Sequence, residues 1–151
     1  MPLAFRDATR ADIAIILDLS YRGAAAPGMV PEPEPDSPNV LAAFDALACD
    51  PHHRLIVAEI DGEVVGTMQI TFLPGLANNG LWRGQIENVH VRADRRGRGY
   101  GGEMVQWAIA RCREQGCGIA QLTSNKLRTD AHRFYERLGF TKSHEGFKLP
   151  L

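Results

Sequence analysis

Val91-Arg92-Ala93-Asp94-Arg95-Arg96-Gly97-Arg98-Gly99-Tyr100-Gly101-Gly102 is the stretch that decides how the chain is read. An apolar run, Val89 and Val91 either side of His90, leads into a charged turn, a glycine-rich corner and a helical pattern that begins near Gly101. Backbone N–H groups in the first turn of a helix have no intrahelical partner, and glycines let a phosphate approach them with no Cβ in the way. The arginines add full charges to those dipoles. Strand, basic loop and helix start together make a geometry for holding phosphate.

Upstream, residues 53–60 and 63–72 are β-branched runs separated by Asp61-Gly62, a strong hairpin signal. Pro74-Gly75 and Asn78-Asn79-Gly80 then break the chain before a strand from Trp82 to Val91, which completes an antiparallel meander. Nearer the N-terminus, Leu3 to Arg6 reads as a short strand. Thr9 and Asp12 read as a capping pair, and Ile13, Ile16, Leu17 and Leu19 as a helical stripe that ends at Gly23. Residues 24–39 hold five prolines and three acids (Glu32, Glu34, Asp36), which leaves a long loop. Asn39 is the expected cap of a second helix, stopped by Asp50-Pro51.

Downstream of the glycines, Met104, Val105, Ala108, Ile109 and Cys112 recur at helical spacing, and Gly116 supplies the stop. Residues 117–123 read as a fifth strand, reached by a crossover that should be right-handed and parallel. Thr129 or Asp130 caps a last helix through Ala131, Phe134, Tyr135 and Leu138, with Gly139 at its end, and residues 140–151 read as one or two terminal strands. The expected fold class is α/β: one domain over residues 1–151, three layers α-β-α, around a mixed, mostly antiparallel central sheet with one parallel β-α-β crossover.

A chain of 151 residues can bury roughly 70% of its unfolded surface without disulfides or metals. Hydrophobic content of 44%, charged content of 23% and a net charge of -1 describe an ordinary globular protein without the basic excess of a nucleic-acid binder. Cys49, Cys112 and Cys117 are odd in number and carry no C-x-x-C spacing, so they read as thiols in a reducing compartment. An acid as early as Asp7 and the lack of any run near ~20 apolar residues make the cytoplasm the expected location. His52, His53, His90, His132 and His144 show no metal-ligand spacing, and no metal site is expected.

Two familiar phosphate motifs fail at the glycine corner. A Walker-type loop needs Lys and then Ser or Thr after its last glycine, and Gly102 is followed by Glu103-Met104. The dinucleotide pattern G-x-G-x-x-G is spelled by Gly97, Gly99 and Gly102, but charged residues separate it from its strand. Gln121-Leu122-Thr123 also stand where a ribose-binding acid belongs. The remaining pattern is Arg-x-x-Gly-x-Gly over Arg96, Gly99 and Gly101. With Ser124-Asn125 and the run Ala131-x-x-Phe134-Tyr135-Glu136-x-Leu138-Gly139-Phe140, it resembles the GNAT superfamily of N-acetyltransferases.

That resemblance implies acetyl-CoA as cosubstrate, lying between the fourth and fifth strands. Main-chain groups of Val89, His90 and Val91 would pair with its pantetheine arm, with an N–H near Val89 polarising the thioester carbonyl. Arg96 and the amides of Gly97, Arg98, Gly99, Tyr100, Gly101 and Gly102 would cradle the pyrophosphate, and Asn125 would bond the pantetheine from the opposite wall. An alkyl ammonium with pKa near ~10 is neutral for only about one molecule in a thousand at neutral pH, a deficit of roughly 4 kcal/mol that a general base helps offset. The resemblance implies Glu87, in Glu87-Asn88-Val89-His90-Val91, for that base and Tyr135 for the acid or hydrogen-bond donor at the departing thiolate. His90 and His132 could also serve as bases, but they match no fixed position of the pattern and read as structural or solvated.

The acceptor implied is the primary amine of a small molecule, in a pocket built from residues 21–39 and 141–148. Asp130-Ala131-His132-Arg133-Phe134-Tyr135 with Ser143-His144 resembles the aminoalkylphosphonate N-acetyltransferases, which nominates a small zwitterion. A protein or peptide acetyltransferase and a non-catalytic CoA-binding regulator are the alternatives. No nucleic-acid or membrane partner is expected, and the reading leaves room for a homodimer.

Overall fold

The computed structural model describes residues 2–26 and 28–151; Met1 and Pro27, the latter one of the loop prolines, lie outside it. Its strands are β1 (Ala4–Asp7), β2 (His53–Ile60), β3 (Glu63–Leu73), β4 (Arg83–Val91) and β5 (Ile119–Gln121). Its helices are α1 (Ile13–Arg22), α2 (Pro38–Cys49), a single turn α3 (Ala77–Gly80), α4 (Tyr100–Glu114) and α5 (Thr129–Arg137). Strand order follows the sequence, β1-β2-β3-β4-β5. Every pairing is antiparallel except β4 with β5, which is parallel through α4.

Alternation assigns the two faces. Ile56, Ala58, Ile60, Met68, Ile70, Phe72 and Ile86 form the core with Met104, Ala108 and Cys112 of α4. Gly84 serves that layer, because a Cβ there would collide with the Cys112 side chain. Helices α1 and α2 pack on the opposite face, α2 against β2 and α1 against β3 and β4.

The local signals work as elementary chemistry requires. Asp61 and Gly62 both have positive φ, 51° and 78°, as a type I′ hairpin turn demands. The Asp12 carboxylate accepts from Thr9 N at 2.7 Å and from Thr9 Oγ1 at 3.0 Å, and a 3-10 turn (Arg10–Asp12) precedes α1. The same carboxylate takes a bidentate pair from Arg6 at 2.7 and 3.0 Å. Arg6 also reaches Glu59 at 2.7 Å, so one guanidinium ties β1, β2 and the start of α1 together.

Three expectations are corrected. The cap of α2 is Ser37, whose Oγ accepts from Val40 N at 3.3 Å, rather than Asn39; Pro38 has no N–H to satisfy and suits the first helical position. The fifth strand is three residues, Ile119–Gln121, rather than seven. Its start is held in the connection by Cys117 N→Cys112 O and Gly118 N→Trp82 O bonds, and its end loses β4 as a partner. No strand forms over residues 140–151. With β5 so short there is little edge to extend, and residues 141–151 stay exposed, including Phe147 and Leu149. Among the described residues, no helix is long and apolar enough to cross a membrane.

Candidate active site

Two irregularities in β4 create the site. Its pairing with β5 covers only Arg83–Gln85 against Ile119–Gln121, whereas β4 continues to Val91. From Ile86 onward, the β5-facing edge of β4 has no strand beside it among the described residues. The second irregularity is a bulge: Thr67 faces His90 and Gln69 faces Glu87, so one residue of β3 opposes two of β4. Asn88 absorbs the extra length with φ 52°, a left-handed conformation that asparagine tolerates better than most side chains.

Beyond Val91 the chain enters a 3-10 turn (Ala93–Arg95) and then the glycine corner. Gly97 and Gly99 have φ of 73° and 84°, and among the described residues nothing beyond their immediate chain neighbours lies within 4 Å of where their Cβ would stand. Gly99 caps α4 without any side-chain bond, and the first intrahelical bond runs from Glu103 N to Gly99 O. The amides of Tyr100, Gly101 and Gly102 are therefore free of intrahelical partners. The Tyr100 side chain meanwhile packs on the core. A Cβ on Gly101 would stand 3.5 Å from the Phe134 ring of α5, so α5 sits beside the start of α4.

Arg96, although exposed, bends back on its strand: its Nε donates to Val91 O at 2.9 Å. That bond occupies one of the three main-chain positions expected to meet a pantetheine. A cavity of about 400 Å³ borders the same corner, lined by Asp18, Leu19 and Arg22 of α1 and by Val91, Arg92 and Arg96.

Glu87 and His90 project to the α1 face. Glu87 is half-buried and receives a long contact from Gln69 Nε2 at 3.5 Å. His90 is packed so closely on the end of α1 that a Cβ on Gly23 would overlap its ring. Burial, with the positive charges of Arg128 and Arg96, pushes its pKa down to about 4, so it is a neutral ring. Burial raises the pKa of the Tyr135 hydroxyl, opposed by Arg128, and its ring meets Phe134 and Phe140 edge-on. Asn125 Oδ1 accepts from Leu127 N at 2.9 Å, its carbonyl meets His132 Nε2 at 2.9 Å, and its amide contacts Met29 Sδ at 3.9 Å. His132 is thus a structural tie for the Asn125 turn.

Arg128 is the residue that sequence reasoning missed. It precedes α5 directly and acts electrostatically on both His90 and Tyr135; a cation at the start of a helix, against the dipole, was the available signal. The proline–acid segment lies over α1. Its Glu32 and Glu34 line a cavity of about 320 Å³ with Leu17, Tyr21 and Val40.

The comparisons with known proteins agree with this architecture. Residues 16–140 match the model of the acetyltransferase (GNAT) family, and the chain belongs to that family. It is 35% identical over 108 residues to an aminoalkylphosphonate N-acetyltransferase of Salmonella typhimurium, covering 72% of this chain and 70% of the relative. It is 32% identical over 149 residues to an L-methionine sulfoximine/L-methionine sulfone acetyltransferase of Pseudomonas paraeruginosa, covering 93% and 81%. A crystal structure described as a transcriptional regulator from Bacillus halodurans C-125 superposes with a TM-score of 0.92 at 38% identity, covering 99% of this chain and 100% of the other.

The family uses acetyl-CoA, and the residues present fit that group. An extended arm needs an unpaired strand edge, which β4 offers from Ile86. A diphosphate needs free amides without a Cβ barrier, which Gly97 to Gly102 offer.

Proposed function

We propose that the protein transfers the acetyl group of acetyl-CoA to the primary amine of a small molecule by direct attack in a ternary complex. The observation that carries this reading is the β4 edge, which has no strand beside it from Ile86 on and, apart from the Arg96 bond to Val91 O, runs open into the free amides of the glycine corner. Glu87 stands at the point where β4 and β5 part. The cosubstrate supplies an activated thioester; the chain's own groups position it and manage two protons.

In this reading the edge groups of Val89 and His90 align the arm, and an N–H near Val89 donates to the carbonyl oxygen. The amides from Gly97 through Gly102 hold the diphosphate, with Arg96 keeping the loop folded through Val91 O. Asn125 closes the opposite wall. Glu87 takes the proton of the incoming ammonium, directly or through water. Tyr135, kept protonated by burial, donates to the departing sulfur. His90 is a poor base here, since a neutral ring of low basicity gains little by accepting that proton. The two named relatives support a small acceptor that carries oxyanion or sulfonyl oxygens as well as an amine.

Thiol release from acetyl-CoA across a panel of small amines tests the activity. Glu87→Gln should lower kcat/KM about 100-fold at neutral pH, with the deficit shrinking as alkali deprotonates the amine itself. Tyr135→Phe should lower kcat about 10-fold or more while leaving KM for the amine in place. Wild-type kcat in both variants across pH ~6 to ~9 removes both assignments. The likeness to a protein described as a transcriptional regulator favours one second reading, a CoA-responsive binding domain. Tight acetyl-CoA binding with no turnover of any amine would select it.

A further inference from the structure

Strand register aligns a set of polar side chains across the α1 face that the reaction scheme does not use. His53 pairs with Thr71, Thr71 with Gln85, and Gln85 with Gln121, so one row crosses four strands. Its members bond along the row: His53 Nδ1 to Thr71 Oγ1 at 3.1 Å, and Gln121 Nε2 to Gln85 Oε1 at 2.8 Å. The next row toward the glycine corner holds Gln69 and Glu87. Apart from Thr71 the row is only half-buried, because α2 packs on β2 and α1 lies nearer the other end of β4. A floor of this kind at the centre of a sheet is open to a ligand.

Along β4 the same face reads Arg83, Gln85, Glu87, since alternate residues share a face. These are a cation, a neutral amide and a carboxylate, spaced about 7 Å apart. Arg83 is exposed and, among the described residues, has no ion-pair partner. Gln85 spends its carbonyl on Gln121, which leaves its amide N–H groups to donate.

We infer that Gln85, backed by Gln121 and Thr71 and flanked by Arg83, binds an oxygen-bearing acidic group of the acceptor while Glu87 receives its ammonium. The acceptor lies along β4 with its positive end toward the fork and its oxyanion, a carboxylate or phosphonate, about 7 Å behind. The row lies below the apex where β4 and β5 part, so it does not compete with the arm of the cosubstrate. The inference rests on Glu87 marking the reacting end. The Gln85 amide protons are the recognition element, and a hydrocarbon in their place leaves the oxyanion unpaired.

The test compares aminoalkylphosphonates of two chain lengths with alkylamines of matching length that lack the acidic group. Gln85→Leu should raise KM for the phosphonates about 10-fold or more and leave KM for the plain amines and for acetyl-CoA unchanged. Gln85→Glu should reject the phosphonates outright while still using the plain amines. Arg83→Ala should weaken only the longer phosphonate. Equal losses for phosphonates and plain amines, or no loss in either glutamine variant, overturn the assignment. If wild type turns over no amine, the acetyltransferase reading fails separately, and calorimetric binding of the phosphonates decides this one. Binding lost in Gln85→Leu supports the row as the oxyanion site, and binding unchanged overturns it. Gln121→Leu, read by the same assays with circular dichroism as the folding control, covers the case in which Gln85→Leu does not fold.

Discussion

Burial and two nearby guanidinium groups leave His90 neutral at physiological pH, with its pKa lowered to about 4 from 6.5. The unfolded chain takes up a proton there that the folded chain refuses. The contribution to stability is therefore complete above about 6.5 and falls as pH drops through that window toward 4. An NMR titration should place the His90 ring midpoint near 4, and His90→Gln should flatten the decline of Tm between those two pH values. A midpoint near the ordinary value would mean that the ring is open to water rather than clamped by Gly23. Gly23→Ala tests the same contact from the other side: its methyl must displace the ring, at a cost of about 1–3 kcal/mol, read by urea denaturation.

At the level of elements, the four glycines of the corner separate into two kinds. Gly97 and Gly99 hold positive φ, and an alanine at either position should cost about 1 kcal/mol of stability. Gly101 is helical, and a Cβ added to it would meet Phe134 at an ordinary contact distance of 3.5 Å. Gly101→Ala should leave the thermal transition intact, since alanine favours the helix, and leave KM for acetyl-CoA near the wild-type value, because its methyl points at Phe134 and Val91, whereas a methyl at Gly97 or Gly99 enters the open space before the amides and should raise that KM. Thermal denaturation and initial-rate kinetics on the three variants distinguish backbone need from ligand access. This corner was legible in the sequence because its chemistry is local: glycine, charge and helix start lie within twelve residues (91–102). The hairpin at Asp61-Gly62 was legible for the same reason. The terminal strands were not, because a strand exists only if a partner edge exists, and alternation in residues 140–151 says nothing about β5 ending at Gln121. Arg128 and the His53-Thr71-Gln85-Gln121 row escaped for a related reason: register between distant segments creates them.

Over the whole molecule, the Arg6 clamp joins what the chain order keeps apart. The Arg6 guanidinium holds the Asp12 carboxyl down to about 2 from 3.8, against the cost of burying it. A depressed carboxylate stabilises the fold in full above about 3.8, and that contribution is lost as pH falls through the native value near 2. Acid unfolding of the wild type should steepen in this window, and Asp12→Asn should lose that steepening while destabilising the fold at neutral pH by about 1–3 kcal/mol. The clamp fixes β1 and the start of α1 to β2, and α1 in turn presses Gly23 on His90. A loosened Asp12 should therefore also move the His90 midpoint upward toward its ordinary value.

The bulge at Asn88 acts as a change of reading frame within one strand. Before it, odd-numbered residues of β4 face α1; after it, even-numbered ones do, which is how Glu87 and His90 share a side while Val89 and Val91 return to the core. Removing Asn88 would close the bulge and leave Glu87, Val89, His90 and Val91 in plain alternation, each side chain on the face it already has; keeping Asn88 but pairing it flat would instead put a histidine into the core and two valines into the cleft. Deletion of Asn88 should therefore preserve the fold, because the shortened strand needs no extra residue to keep its phase. The bulge leaves a carboxylate on the α1 face of a strand whose following residues present an unpaired edge.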